Sequence, residues 1–384
     1  MMLDKRHSKN PIPFFMGILI GLAVVAAFFF YSSDFKFGAT PTATPLPPTP
    51  TPRSAKPHID AAAQLESEGK LEEAIAEYQQ AIDIEPAATN AYISLARILT
   101  FRRNPAEAVK KAQKAVELAP QSADAYSILA VASDWNDDPD QAIAYARKAI
   151  DLNPNLADAY AYLAEAYADK FKIPEANDSI QKALSLSPNS VTAIRVNGYI
   201  YEVQARYAQA AKEYARAVDL APNMPYLHLL LGNALKAAGD FNGAILKYQR
   251  ATELDPKDPR AAAGIGGCYY ALENYNKAED YLKAALALDA NYAAVLGQLA
   301  LVYYNQKRYA DAIPYFQRAI EQEKSKSKLT SYHHALGWSL LAEKRYQEAR
   351  EQFNKALQLD PKLQGAKDGL DAVSKAEAQE KKKP

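Results

Sequence analysis

Proline stands at positions 86, 120, 154, 188, 222 and 256, always 34 residues apart. A period of that length constrains a chain more than any single motif, because it marks one supersecondary unit stacked many times. Two alanine columns keep the same step. Ala74, Ala108, Ala142, Ala176, Ala210 and Ala244 precede the prolines by twelve residues, and Ala81, Ala115, Ala149, Ala183, Ala217 and Ala251 precede them by five. Both columns continue through Ala278 and Ala285, Ala312 and Ala319, and Ala349 and Ala356, beyond the points where Ala290 and Lys324 replace proline. Pro361 returns three residues late, which places a short insertion within Glu323 to Leu329.

One copy shows the physical unit. Pro225 suits the first turn of a helix, where its missing N–H is not needed, and Leu227, Leu231 and Leu235 follow at four-residue spacing. Gly239 and Asp240 break that helix. A second apolar series, Phe241, Ala244, Ile245, Tyr248 and Ala251, predicts another helix that ends at Pro256. Two short antiparallel helices cannot bury an apolar face alone, so the copies must stack into a continuous core. The alanines belong where helices cross, since one methyl group lets two backbones approach closely and a larger side chain would overpack the crossing.

These columns make the chain resemble the tetratricopeptide repeat (TPR) proteins over about residues 55 to 363. The copy from Thr89 matches that pattern with Tyr92, Leu95, Ala96, Leu99, Ala108, Ala112, Ala115 and Pro120, and the copy from Ala157 with Tyr160, Leu163, Ala164, Tyr167, Ala176, Ile180, Ala183 and Pro188. Nine copies fit the frame. The first departs most, with His58 and Ala61 in place of the aromatic and the leucine. The resemblance implies an all-α fold, a right-handed superhelical solenoid of helix-turn-helix repeats over residues 58–363. A polar helical stretch within residues 364–384 is expected to cap its open end before a charged tail.

The N-terminus carries a different signal. Phe14 to Tyr31 is an uncharged run of 18 residues, eleven of them Phe, Ile, Leu or Val. That is about the minimum that spans a bilayer as a helix, so residues 14–31 are expected to form one transmembrane signal-anchor. Lys5, Arg6 and Lys9 in the basic flank (1–13) oppose a nearly neutral far side, which keeps the N-terminus cytoplasmic and puts the repeats outside. Tyr31-Ser32-Ser33-Asp34 offers no good cleavage site; cleavage would instead leave a soluble secreted chain. Residues 32–57 read as a stalk, in which the seven prolines and five threonines of Gly38 to Pro57 favour extended polyproline II geometry and give those twenty residues a reach of up to ~60 Å.

Composition and motifs exclude several kinds of chemistry. Forty-five basic residues balance 45 acidic ones, so no net field points to nucleic acid. The single cysteine, Cys268, cannot form an intramolecular disulfide and reads as a small buried hydrophobe. His58, His228 and His333 fall in a packing column, and the neighbouring His333 and His334 point about 100° apart on a helix, a poor geometry for one metal. Gly264-Ile265-Gly266-Gly267 lacks a preceding strand and a following Lys-Ser/Thr, so packing explains it better than a phosphate loop. No catalytic residue, metal site, cofactor or small-molecule substrate is expected.

Function is therefore sought on the concave surface. In the TPR family the second, fifth, ninth, twelfth and thirteenth residues of the first helices line a groove that receives a peptide or a partner helix. Carried over, these positions give Asp124, Asp134, Trp135, Asp158, Glu165 and Asp169 in the third and fourth copies. The fifth to seventh copies give Arg195, Tyr199, Glu202, Tyr226, Asn233, Lys236, Arg260 and Tyr270, and the last two give Tyr304, His334 and Trp338. The family's carboxylate clamp for chaperone tails is not reproduced: Asn233 is in place, but Leu229, Gly264, Ala294 and Gln298 occupy the other positions. The expectation is a membrane-anchored, extracytoplasmic scaffold that holds a protein or peptide in its groove, in a bacterial cell envelope. The alternative is an accessory or regulatory subunit of an envelope enzyme or a secretion machine.

Overall fold

Each copy folds as two antiparallel helices joined by a tight turn. The structure, a computed structural model, describes residues 54–381. The first helices are α1 (Lys56–Ser67), α3 (Thr89–Phe101), α5 (Ala123–Trp135), α7 (Ala157–Asp169), α9 (Val191–Val203), α11 (Pro225–Ala237), α13 (Pro259–Ala271), α15 (Ala293–Asn305) and α17 (Lys326–Ala342). Their partners are α2 (Leu71–Ile84), α4 (Pro105–Leu118), α6 (Pro139–Leu152), α8 (Ile173–Leu186), α10 (Tyr207–Leu220), α12 (Phe241–Leu254), α14 (Tyr275–Leu288), α16 (Tyr309–Gln322) and α18 (Tyr346–Leu359). A last helix, α19 (Gln364–Glu380), lies on the ninth pair and buries Ala366, Gly369 and Val373. No strand occurs among the described residues.

Lys56 and Pro57, placed in the stalk by the sequence reading, belong to the first turn of α1, and the rest of that stretch up to residue 53 lies outside the described residues. The membrane segment 14–31 lies outside the described residues, among which no helix is long and apolar enough to cross a bilayer. α17 begins within the inserted stretch after Glu323 and runs for 17 residues, where the other first helices from α3 onward have 13.

Every alanine of the two columns is buried. Beside them runs a size-matched pair of positions. Tyr214 faces Gly198, Tyr248 faces Gly232, Leu282 faces Gly266 and Phe353 faces Gly337; a Cβ on any of these glycines would fall 2.7–2.8 Å from the opposing side chain. Where the second helix carries Ala112, Ala146 or Ile180, the matching position is Ala96, Ala130 or Ala164 in the same cluster. Glycine thus stands on the first helix where the second presents an aromatic ring or a leucine at close range, and alanine where the second presents a smaller or branched side chain in these copies. Gly264 packs against the Tyr248 ring in the same way, so the Gly264–Gly267 run has a packing role. Cys268 is fully buried, and burial pushes its thiol up to about 11.

A further periodic feature is invisible in the sequence. One residue in every turn between paired helices takes the left-handed conformation: Gly69, Arg103, Asp137, Phe171, Ala205, Gly239, Glu273, Lys307 and Lys344. The next amide then reaches back across the helix end, as in Asn104 N–H to the Leu99 carbonyl at 2.9 Å and Arg206 N–H to the Tyr201 carbonyl at 2.9 Å, which closes the helix in a Schellman arrangement. Only two of the nine are glycine, so seven copies hold an L side chain in a conformation that costs roughly 1 kcal/mol or more. Ala205→Gly should therefore stabilise its copy by about 0.5–1 kcal/mol, and Gly239→Ala should destabilise by a similar amount although the space around it is empty. Urea unfolding of the two variants checks this; shifts of the same sign would show that the turn geometry is not the cause.

Candidate functional site

The first helices turn their polar residues toward the axis of the coil, and the coil is tight enough to touch itself. The Phe101 ring at the end of α3 stacks on Tyr226 of α11, centroids 4.3 Å apart and planes 6° from parallel, and meets the edge of Trp135 at 5.4 Å. Arg102 Nε donates to Asp255 at 3.0 Å, Arg260 donates to the Phe101 carbonyl at 3.0 Å, and Asn223 donates to the Ser67 carbonyl at 3.2 Å. The first two copies therefore meet the fifth to seventh. This contact divides the middle of the inner face into two adjoining chambers.

The first chamber encloses about 580 Å³ between α5, α7, α9, α10 and the turn after α3. Its wall carries Asp134, Glu165, Asp169 and Glu202. Glu165 is held by both terminal nitrogens of Arg195, at 2.7 and 2.5 Å, and by Trp135 Nε1 at 3.1 Å. Tyr199 donates to Asp169, and Tyr214 donates to Glu202 at 2.7 Å. Asp134 has no such partner. It is 5 % exposed, and neither carboxylate oxygen makes a hydrogen bond among the described residues. Burial, with Glu165 and then Asp169 nearby, pushes its carboxyl up to about 9. Burial also raises Asp169 and Glu202, against the hydrogen bonds from Tyr199 and Tyr214.

The second chamber, of about 370 Å³, shares Arg103, Trp135 and Leu230 with the first and continues along α11 and α13 to α15. Its character is basic and polar, with Lys236, Arg260, Asn233 and Gln298 on the wall. Arg260 is tied to Asp258 at 2.5 Å, whereas Lys236 has no ion-pair partner among the described residues. Lys236 Nζ lies 5.9 Å from the Tyr248 ring centre.

Eleven of the seventeen groove residues expected from the sequence line these chambers: Asp134, Trp135, Glu165, Asp169, Arg195, Tyr199 and Glu202 in the first, and Trp135 again with Tyr226, Asn233, Lys236 and Arg260 in the second. The other six, Asp124, Asp158, Tyr270, Tyr304, His334 and Trp338, do not join them. Asp158 accepts from Ser190 at 3.2 Å, Tyr270 accepts from Asn305 at 2.9 Å, and Tyr304 packs on Tyr309. Trp338 donates to His334 at 3.0 Å and rests on Phe353. Arg195 is 1 % exposed and its charge is spent on Glu165, so removing it would strand a buried carboxylate at a cost of about 3–5 kcal/mol. Arg103 and Tyr214, which were not expected at the site, reach it from a turn and from a second helix.

Four segments match family descriptions of this repeat. Residues 136–191, 235–284 and 291–362 match "Tetratricopeptide repeat" and residues 65–99 match "TPR repeat", together more than half of the chain. The chain belongs to the tetratricopeptide repeat family. No curated protein matches the sequence of this TPR chain. Among solved TPR-like structures, a chain of the APC/C hetero-tetramer Cut9–Hcn1 superposes with a TM-score of 0.57 at 18% identity, over 82% of this chain and 55% of that one. Our chain thus spans little more than half of that neighbour. Human IFIT1, as a dimer with PPP-AAAA, superposes with a TM-score of 0.58 at 17% identity, over 83% of this chain and 82% of that one. At these identities the likeness is one of fold.

Two outcomes follow from the closed geometry. Phe101→Ala removes the stacking that joins distant copies, so the radius of gyration from small-angle scattering should rise while helix content stays constant; an unchanged radius would mean that pair-to-pair packing alone sets the curvature. Asp134→Asn keeps the side chain's shape and removes its ionisation. The native carboxyl keeps its proton to about 9 while the unfolded chain releases it near 3.8, so the parent loses stability as pH rises through that window. The variant's melting temperature should gain steadily on the parent's as pH rises from about 5 to about 9. A difference independent of pH would show that Asp134 is hydrated.

Proposed function

We propose that this TPR protein is a tethered scaffold that holds a protein or peptide segment in the two adjoining chambers of its inner face. One observation carries the reading: the chambers concentrate aromatic walls, buried charge and unpaired polar groups at a single place on the concave surface, whereas the outer helices are covered with short-range ion pairs between neighbours in sequence, such as Lys110 with Glu107 and Lys114 with Glu117. A concave site where polar groups converge beside aromatic side chains is a usual form of a binding site. Binding is its chemistry, since the chambers hold neither a nucleophile beside a base nor, among the described residues, a cluster fit for a metal.

The tether rests on the sequence of residues 14–31 and on the basic flank that precedes them. A membrane anchor with its N-terminus in the cytoplasm and a proline-rich stalk would present the solenoid on the outer side of a cell membrane. The spacing suits a scaffold that meets partners at a distance from the lipid surface.

One experiment examines both parts. A membrane-impermeant maleimide carrying a photoreactive group is added to spheroplasts that express Tyr199→Cys or, on the outer face, Lys212→Cys; the native Cys268 is buried and does not react. Both cysteines should be labelled from outside. On illumination only the groove position should yield a discrete adduct, which Lys236→Ala should weaken by roughly tenfold or more, as loss of an interface anchor does. No labelling before lysis would reverse the topology, and adducts from Lys212→Cys alone would move the partner to the convex face.

A further inference from the structure

We infer that the first chamber is a receptor for one organic cation, the guanidinium of an arginine or the ammonium of a lysine, carried on the peptide segment that threads the two chambers. This deepens the groove reading above and rests on it.

The inference starts from Asp134. The other carboxylates on the chamber wall are satisfied from within the fold: Glu165 by Arg195 and Trp135, Asp169 by Tyr199, and Glu202 by Tyr214. Asp134 is as buried as Glu165 and has nothing to accept from. A carboxyl group left without a partner in a close-packed interior opposes folding, and native structures retain such groups chiefly where they act on a ligand. The group that is missing is a donor.

Charge selects the kind of donor. The chamber's one buried cation, Arg195, is committed to Glu165 through its two terminal nitrogens, only its Nε lacking a partner, and Asp134, Asp137, Asp169 and Glu202 face Arg103 alone in the exposed turn. An anion would meet this acidic wall, whereas a cation is complementary to it. A metal ion is also a poor fit, because among the described residues no three of these carboxylates converge as its ligands would. A guanidinium with five N–H groups, or an ammonium with three, can bridge carboxylates that stand apart. Trp135 and Tyr199 supply aromatic walls of the kind that hold such cations.

The second chamber decides what carries the cation. It opens from the first past Trp135 and Leu230, and its wall presents Lys236 and Asn233 with Gln298, whose buried side-chain oxygen also lacks a partner. A free polyamine would be repelled by Lys236. A peptide that follows its basic residue with an acidic one, or with backbone carbonyl and amide groups, satisfies both chambers at once.

Proton balance makes the site measurable. In the empty chamber Asp134 keeps its proton at neutral pH, held there by burial, by Glu165 and Asp169, and against Arg195; Asp137 and Arg103 line the same mouth and Glu202 the same wall. A cation entering stabilises the carboxylate, so the proton leaves Asp134 for the buffer and up to one proton is released per ligand bound. Affinity should therefore rise between about pH 6 and about pH 8, by up to tenfold per pH unit.

The test is calorimetry on the full chain in detergent micelles, in two buffers of different ionisation enthalpy. The probes are acetylated hexapeptides that carry one arginine and one aspartate at each possible spacing, the same peptides with glutamine for arginine, and spermidine. The inference expects at least one spacing to bind, with release of close to one proton, and the glutamine version to lose tenfold or more. Asp134→Asn should lose a similar factor and abolish the proton release while its melting temperature equals or exceeds that of the parent. Spermidine binding as tightly as the best peptide would overturn the peptide assignment. If no arginine peptide binds, or Asp134→Asn binds like the parent without altering proton release, the chamber is not a cation receptor. That result leaves the groove reading intact if Tyr199→Cys still gives its adduct, whereas loss of the adduct together with intact peptide binding would fail the scaffold and spare the chamber.

Discussion

The distance between helices at the alanine columns governs everything else in this molecule. A buried methyl group at each crossing lets neighbouring backbones approach closely in copy after copy. In a solenoid that couples nearest neighbours, small rotations from one pair to the next accumulate. Four or five copies suffice here to carry Phe101 round onto Tyr226. A larger side chain at a few crossings would alter these rotations, and the two ends of the closing contact would miss each other.

Closure changes the electrostatics of residues that would otherwise face water. Polar side chains on the inner helices of an open solenoid are hydrated and their charges screened. Once Phe101 and the turn after it cover the inner face, Glu165 and Arg195 become a buried pair and Asp134 a buried acid. Paired, such groups cost little. Unpaired, Asp134 opposes the fold, and its retention inside a well-packed helix end sets it apart from the satisfied acids around it. The juxtaposition of an acidic chamber with a basic one across Trp135 then gives the inner face a direction, which a uniform groove would not have.

Several of the residues that matter were within reach of the 34-residue frame, and others were not. Trp135, Glu165, Asp169 and Arg195 occupy first-helix positions that point to the axis, so the register alone brings them to the site. The same register also placed Tyr304, His334 and Trp338 on the inner face, but there the coil has no distant copy to close over them, and they settle onto Tyr309 and Phe353. Arg103 carried no signal: it lies in a turn and reaches the chamber only because the coil returns to it. The left-handed turn residues were equally hidden, since glycine marks that conformation at Gly69 and Gly239 alone.

By itself the sequence determined the repeat, its helices and the column of small residues at each crossing, because these follow from local spacing and from the volume of side chains one turn apart. It also determined the hydrophobic run at residues 14–31 and the charge that flanks it. Only the tertiary structure decided that the groove closes, that Arg195 is spent on Glu165 and that Asp134 is left without a partner. The closure depends on contacts between residues more than 120 positions apart, such as Arg102 with Asp255, and a pattern that repeats every 34 residues holds no record of where the accumulated rotation brings the chain back to itself.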